Sequence, residues 1–438
     1  MSMNKNIARL AVTAGLTAAL SFGGVMAPVT MAFAEDAPGS ITINKVDEAN
    51  KDNTFKAYQI FKAKVADEGS KGKVASDIEW SSTTIGSKVV AAIKGSAKYK
   101  EIVDADGAAA LADGATAPVV AEWLAKNVTG TSAGSATSSE GTCVAPGDVL
   151  YAIAVAITDE TPAGNSFKVD DSWTRPDAYG DGYYLFVPDG LTNPAKPNTG
   201  TSPIFAIVGG NLVTVTEKTS IPTVTKKVRD DKSTSVWADK ADSQMGQDVQ
   251  YQLTGTVADN IATFGTYYYE FHDELSTGLT ADLDSVEVKV NDTTVSKNAT
   301  VNAVTGYDAA IDNETNTLTV KFANLKAAAE RAGVTLNEQS TVVVTYKAKL
   351  DPNKVENVTV GGVGNLNTVR LIYSNNPMSA DKGESVPDVV RDYTYALKLV
   401  KQDHESRNKL QNVGFTIQAT VPDAVSYTHL TLPTNSRV

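Results

Sequence analysis

The sequence predicts a mainly β protein made of tandem immunoglobulin-like β-sandwich domains, the first of which carries a helical insertion. Short segments of alternating apolar and polar residues recur along most of the chain, separated by turns rich in Gly, Pro, Asn and Asp. Such alternation is typical of strands that bury one face. Residues 85–102 and 117–128 depart from it, and the second of these segments has the period of an amphipathic helix.

Length and composition limit the classes of function. The 438 residues can form two to four domains, each with its own core. The 51 acidic residues outnumber the 39 basic ones and give a net charge of -12. This balance argues against nucleic acid as a partner, because phosphate binding requires a basic surface. Cys143 is the single cysteine and cannot form a disulfide within the chain.

Residues 1–34 are predicted to be a secretory signal peptide. A basic start precedes an apolar run over 10–26, and an Ala-Phe-Ala cleavage site follows at 32–34. We therefore expect a secreted protein whose mature chain begins at Glu35. No later segment approaches the ~20 apolar residues that a membrane-spanning helix needs.

The first domain is predicted over residues 35–220. Two strands split by a polar turn are expected within 40–65. Further strands are expected at 149–157, 181–188, 202–209 and 211–217. With the two helical segments, this pattern predicts a β-sandwich with a helical insertion.

The second domain is predicted over 221–390, after a boundary marked by Pro222. Its strands are expected in the segments TVTKKV, DVQYQLTGTV, YYYEFHDEL, SVEVKV, TLTVKF, TVVVTYKAKL and TVRLIYS. One short helix is expected at 325–332. Seven or so short strands separated by turns favour an immunoglobulin-like sandwich.

The end of the chain is predicted to have two parts. Residues 391–424 begin a third domain that is cut short, with strands in YTYALKLVKQD and KLQNVGFTIQAT. Residues 425–438 are expected to be a sequencing artefact, because they begin with the translation of a transposon adapter used in sequencing libraries. The authentic sequence is therefore expected to stop near Ala424; the alternative is that these residues are a genuine disordered tail.

Three polar residues of the second domain fall at core-facing positions. Lys226 alternates with Val224 and Val228, and Asp273 and Asn367 share the parity of the apolar residues in their own strands. Buried Lys and Asp are rare unless they are paired. A buried salt bridge between Lys226 and Asp273, with Asn367 as a polar residue near a strand end, explains this parity as well as a reaction centre does.

As a reaction centre, these residues would form an isopeptide bond. Burial lowers the pKa of a lysine and makes its neutral amine accessible. The Lys226 amine could then attack the side-chain carbonyl of Asn367 and release ammonia. A protonated Asp273 would polarise that carbonyl and carry the proton.

The second domain resembles the isopeptide-forming domain of fimbrial backbone subunits of Gram-positive bacteria. The resemblance is carried by PTVTKKV, YYYEFHDELSTGLT and GNLNTVRLIYSNNP, which occur in the order of that family. It implies a bond between Lys226 and Asn367, assisted by Asp273. Residues 40–217, with the stretch YGDGYYLFVPDG, resemble the first domain of the same pilins. Residues 393–417 resemble the start of a collagen-adhesin B-type domain, in which Lys401 would be the bond-forming lysine.

The resemblance also implies partners and a location. Pilin subunits of this family are joined head to tail by a class C-type sortase, which links each subunit to a lysine near the end of the next subunit's first domain. Here VTVTEKTSIPTV places Lys218 at that position, although the family's common motif has Tyr-Pro before the lysine. The expected partners are identical subunits, and the expected location is the cell wall and the surface pilus.

Two other functions remain open. A tip or accessory pilus adhesin would share these domains and bind a host glycan or matrix protein. A secreted hydrolase would need a cleft with two facing carboxylates. The sequence contains no zinc-peptidase HExxH motif and no nucleophile elbow, so we expect no metal, no cofactor and no enzymatic activity beyond the intramolecular bond.

Overall fold

The computed structural model describes residues 8–11, 19–21, 38–67, 73–104, 107–128, 144–191, 197–230, 236–396 and 399–410. Most of its regular structure is β, arranged in four sheets whose strand pairs are mostly antiparallel, which confirms the predicted fold class. Among these residues, no helix is both long and apolar enough to cross a membrane. Cys143 and residues 425–438 lie outside the described part of the chain.

The described residues of the N-terminal half form ten strands and four α-helices. The strands are β1 (Ala8–Ala11), β2 (Ala19–Ser21), β3 (Ser40–Asn44), β4 (Thr54–Asp67), β5 (Lys73–Trp80), β6 (Phe167–Lys168), β7 (Ser172–Thr174), β8 (Gly182–Asp189), β9 (Ile204–Val208) and β10 (Val213–Thr216). The helices are α1 (Thr83–Gly95), α2 (Ala97–Asp104), α3 (Ala117–Asn127) and α4 (Val149–Ile157). One sheet has the order β2-β1-β5-β4-β8-β9 with β6 beside β4, and the other has the order β10-β3-β7.

The prediction of a strand at 149–157 is wrong, because this segment is helix α4. The run VLYAIAVAI is apolar throughout, and such a short run does not distinguish a buried strand from a buried helix. Its buried residues Val149, Ile153, Ala154 and Ile157 have the spacing of one helix face. That face packs against α1, so tertiary packing decides the conformation.

The two strands predicted within 40–65 are present, but they do not form a hairpin. β3 pairs with β10 in parallel and with β7, whereas β4 pairs with β5, β6 and β8 in the other sheet. A 3-10 turn at Glu48–Asn50, capped by the Asp47 side chain, carries the chain from one sheet to the other. Alternation fixes the face of a strand but not its partner.

The middle part of the chain is a two-sheet sandwich. Its strands are β11 (Val224–Arg229), β12 (Lys240–Asp242), β13 (Asp248–Thr256), β14 (Tyr269–Leu275), β15 (Leu279–Val290), β16 (Thr293–Thr294), β17 (Asp308–Asp312), β18 (Thr317–Phe322), β19 (Thr341–Leu350), β20 (Asn365–Ser374), β21 (Lys382–Glu384) and β22 (Asp388–Tyr393). The predicted short helix is α5 (Leu325–Arg331).

Two sheets enclose the core of this sandwich. The sheet that we call the β11 sheet has the order β11-β13-β19-β15-β16. The sheet that we call the β20 sheet has the order β12-β22-β20-β14-β18-β17, with β21 beside β20. Valine, leucine, phenylalanine and tyrosine side chains from both sheets form one continuous cluster between them. All seven strand segments predicted for this part of the chain are present.

The strand predicted from Tyr393 to Asp403 is absent from the described residues. β22 ends at Tyr393, and over 394–396 and 399–410 the structure has one isolated bridge, between Gln402 and Lys409. A strand needs hydrogen-bonding partners alongside it. Most of the second strand predicted here, after residue 410, lies outside the described residues.

Candidate functional site

The three predicted reactive side chains meet in the core of the middle sandwich. Lys226 lies on β11, whereas Asp273 and Asn367 lie on β14 and β20 of the opposite sheet, and each side chain is 0% exposed. Asn367 pairs with Leu275, so Asp273 is its diagonal neighbour on the same face of the sheet. The site therefore spans the two sheets.

Lys226 and Asp273 form a fully buried ion pair, in which Lys226 Nζ donates to Asp273 Oδ1. Burial lowers the pKa of Lys226 to about 8, although the charge of Asp273 and the hydrogen bond to it oppose this shift. A neutral amine is thus far more accessible here than at an exposed lysine. The ammonium also lies 5.3 Å from the ring centroid of Tyr251 and 5.7 Å from that of Tyr346.

Tyr346 connects the ion pair to the amide, a role that the sequence did not indicate. Its Oη donates to Asp273 Oδ2 at 2.6 Å and accepts from Asn367 Nδ2 at 2.7 Å. Lys226 Nζ lies 3.4 Å from the same oxygen. In TVVVTYKAKL, Tyr346 has the parity of Val344, which marks it only as a core residue. A buried phenol also needs a hydrogen-bond partner, and this requirement was the one sequence-level indication that Tyr346 contacts another polar group in the core.

The structure does not show the contact that we expected between Asp273 and the amide carbonyl. The carboxylate is bonded to Lys226 and Tyr346, and within the described residues Asn367 Oδ1 has no hydrogen-bond partner. Asp273 pairs with Val369 rather than with Asn367, and the Tyr346 hydroxyl from the opposite sheet lies between the two side chains. Asp273 is therefore placed to exchange protons with the amine, not to polarise the carbonyl.

Asp388 holds the backbone at Lys226. β11 is the edge strand of its sheet, and the backbone N–H of Lys226 donates to Asp388 Oδ2 on β22 at 2.7 Å. This bond fastens the edge strand to the opposite sheet at the residue that carries the amine. Sequence patterns did not indicate it, because the pairing of Asp388 depends on how the two sheets meet.

Lys218 follows β10 and is half-buried. Its backbone N–H donates to Thr201 Oγ1 at 3.2 Å. The preceding residue, Glu217, is buried and accepts hydrogen bonds from Asn50 Nδ2 at 3.0 Å and Asn53 Nδ2 at 3.1 Å. The backbone that carries Lys218 is therefore held in place.

Lys401 lies apart from the site. It is exposed on a segment without regular strands, and the residues expected to react with it are not in the described part of the chain. Within the described residues, no group of three or more His, Cys, Asp or Glu side chains could hold a metal ion.

The fold and the site define a β-sandwich in which a lysine, a carboxylate and an amide meet across two sheets. No family model and no curated protein matches the sequence. Among solved structures, the chain is similar to the T6 backbone pilin of serotype M6 Streptococcus pyogenes, with 15% identity, a TM-score of 0.48 and coverage of 87% of this chain and 69% of that one.

Two other solved structures are also similar. The full-length major pilin SpaD from Corynebacterium diphtheriae matches with 14% identity, a TM-score of 0.39 and coverage of 85% of this chain and 71% of that one. BcpA, the major pilin subunit of Bacillus cereus, matches with 17% identity, a TM-score of 0.33 and coverage of 58% of this chain and 66% of that one. All three of these similar structures are backbone or major pilins, the class of protein that the sequence resembles.

Proposed function

We propose that this protein is a secreted structural subunit of a covalently polymerised pilus attached to the cell wall, and that Lys226 and Asn367 of its middle sandwich form an isopeptide bond. One observation carries the proposal. An amine, a carboxylate and an amide, each fully buried, lie within one hydrogen-bonded cluster. On this proposal the protein transforms no other molecule, since the reaction is intramolecular and occurs once.

The reaction balances with the groups present. The Lys226 ammonium gives one proton to Asp273, and the neutral amine attacks Cγ of Asn367. The bond between Cγ and Nδ2 then breaks, and the leaving nitrogen takes a second lysine proton and departs as ammonia. The third hydrogen stays on the new amide, and Asp273 ends as a neutral carboxylic acid. A buried ion pair is thus replaced by neutral groups, which cost less to bury.

The bond would join the first strand of the sandwich to a late one. Lys226 and Asn367 are about 140 residues apart in sequence and lie in opposite sheets. A cross-link that closes a loop of this length stabilises a fold by roughly 4–5 kcal/mol on the chain-entropy model for disulfides. A pull applied along the chain would pass through the bond rather than through the strands between its ends. Such a connection suits a subunit whose function is mechanical.

The cross-link is tested by mass spectrometry of the full chain. We expect a mass about 17 Da below the encoded value, corresponding to one ammonia, and a branched tryptic peptide that joins Lys226 to Asn367. Lys226→Ala, Asp273→Ala and Asn367→Ala should each abolish the loss, whereas the control Lys227→Ala on the same strand should retain it. Separate, unlinked peptides from the folded wild-type protein would overturn the proposal.

Polymerisation is tested at Lys218, the proposed acceptor lysine. Incubation with a class C-type sortase and subunits that carry a complete sorting signal should yield ladders of covalent polymer. Lys218→Ala should abolish them, and the control Lys227→Ala should not. A tip or accessory adhesin needs no acceptor lysine, so ladders that persist in Lys218→Ala would refute this site.

A further inference from the structure

Two buried polar atoms at the centre of the site are not accounted for by the ion pair or by Tyr346. Tyr251 Oη and Asn367 Oδ1 both lack a well-formed hydrogen bond within the described residues. The first atom carries a donor proton, and the second is an acceptor. Asn367 Oδ1 is also the atom that becomes negatively charged when an amine attacks the amide. Burying such a pair unbonded costs free energy, and a role in a later step would explain why the two atoms are kept there.

The packing brings the Tyr251 hydroxyl to the reactive amide. Tyr251 on β13 pairs directly with Tyr346 on β19, and their rings stack with centroids 5.3 Å apart and an angle of 15° between planes. Stacked rings on paired residues project their hydroxyls to a similar depth. Since the Tyr346 hydroxyl contacts the nitrogen of the Asn367 amide, the strand pairing and the stacking direct the Tyr251 hydroxyl toward the same group. Lys226 Nζ lies over both rings.

The electrostatic surroundings keep this hydroxyl protonated. Burial raises the pKa of Tyr251 well above its ordinary value, and the negative charges of Asp392 and Asp273 raise it further. A side-chain hydrogen bond with Asn367 has the opposite effect on this pKa, because Asn367 donates to the phenol oxygen in that contact, and it indicates that the amide lies close to the phenol before the reaction. Asp392 is itself fully buried on β22, two residues beyond Val390, the residue that pairs with Asn367.

We infer that Tyr251 is a catalytic residue of the cross-linking reaction, which donates a hydrogen bond to Asn367 Oδ1 and stabilises the oxyanion that forms there. This inference rests on the proposed function. As the bond from Lys226 Nζ to Cγ forms, the carbonyl electron pair moves to Oδ1, and the Tyr251 O–H bonds to it without giving up its proton. When the pair returns, the bond to Nδ2 breaks. Asp273 is thereby left free to carry the proton from the amine to the leaving nitrogen.

The test is a substitution that removes only the hydroxyl. Tyr251→Phe keeps the stacked ring, and Tyr267→Phe is the matched control because Tyr267 is equally buried in the same core but lies outside the reactive cluster. The full chain is synthesised in a short pulse, the reaction is quenched in acid at intervals, and the intact mass is measured by mass spectrometry. Removing one oxyanion donor commonly slows a reaction by about 10²–10³-fold. We expect a slowing of that order in the loss of ammonia for Tyr251→Phe, and the wild-type rate for Tyr267→Phe.

The outcomes separate this inference from the proposed function. Tyr251→Phe that links at the wild-type rate overturns the role of Tyr251 and leaves the cross-link intact, whereas a wild type that never loses ammonia overturns both. If circular dichroism shows that Tyr251→Phe is unfolded, 3-fluorotyrosine is placed at position 251 instead. Its more acidic hydroxyl is a stronger donor, so linking should be faster than in the wild type. An unchanged rate would refute the inference.

Discussion

Replacing Asn367 with alanine removes the electrophile and leaves the other reacting groups in place. Lys226 and Asp273 keep their ion pair, and Asp273 keeps its bond to Tyr346. On the proposed function, the variant therefore differs from the cross-linked wild type by the missing covalent bond and by keeping the buried ion pair, which the reaction replaces with neutral groups in the wild type. It isolates the contribution of the cross-link better than a change at Lys226, which would leave the Asp273 charge buried without its partner.

The magnitude follows from the length of the closed loop. About 140 residues lie between the two ends of the bond, so its loss should cost roughly 4–5 kcal/mol of unfolding free energy. For a sandwich of this size, each kcal/mol corresponds to roughly 2–4 °C in the melting temperature. We therefore expect the middle sandwich of Asn367→Ala to melt about 10–20 °C below that of the wild type.

Differential scanning calorimetry of the full chain is the suitable assay, because separate transitions can report separate parts of the chain. The matched control is Asn365→Ala, which lies on the same face of β20 and keeps the reactive groups. It loses the bonds from Asn365 Nδ2 to the backbone oxygens of Thr359 and Asp392 and the bond that Oδ1 accepts from the backbone N–H of Thr359. It should retain the ammonia loss, and at about 1 kcal/mol per lost bond it should melt roughly 6–12 °C lower. A melting temperature of Asn367→Ala within about 3 °C of the wild type would refute the proposed stabilisation by the cross-link.

Three further predictions concern residues outside the reacting trio. Burial raises the pKa of Glu217 to about 7 from 4.5, so the folded protein binds more protons than the unfolded chain between these values and should lose stability as pH rises through that window. Glu217→Gln should thus have a higher melting temperature than the wild type at pH 8 but not at pH 4. An equal increase in melting temperature at both pH values would contradict this prediction. Asp388→Ala should slow the ammonia loss severalfold, because the bond that positions Lys226 is lost, and an unaltered time course argues against that role. Asn375 Nδ2 donates to Leu191 O and to Asn198 Oδ1, so Asn375→Ala should speed amide hydrogen exchange around residue 198; unchanged exchange would exclude this link between the two parts of the chain.

Sequence patterns predicted the faces of the reactive residues well, because the period of a strand is fixed by its backbone. Lys226, Asp273 and Asn367 are fully buried as their parity required. The same rule could not assign α4, where every position is apolar and parity carries no information. The same rule could not predict the pairing partners of β3 and β4, since alternation indicates which face of a strand is buried but not which strand lies alongside it.

The groups that complete the site could not be predicted from strand patterns. Tyr346 and Tyr251 have the parity of ordinary core aromatics, and only the register of β13 with β19 places their hydroxyls together. Whether a buried hydroxyl faces a backbone carbonyl or a reactive amide depends on how the opposite sheet is packed. That information is tertiary, and a strand pattern does not contain it.

The position of the reacting groups couples the chemistry to completion of the fold. Lys226 lies on an edge strand held by β13 on one side, and on the other side its backbone is held by the Asp388 side chain from β22, the last strand of the sandwich. The amide lies on β20, between β14 and β22. Burial sufficient to lower the pKa of the lysine exists only when both sheets have closed, because the charge is otherwise solvated. A partly folded chain therefore holds the amine protonated and away from the amide, so incorrect cross-links are avoided without a separate control. On the proposed function, the bond would therefore form last and fix a structure that is already correct.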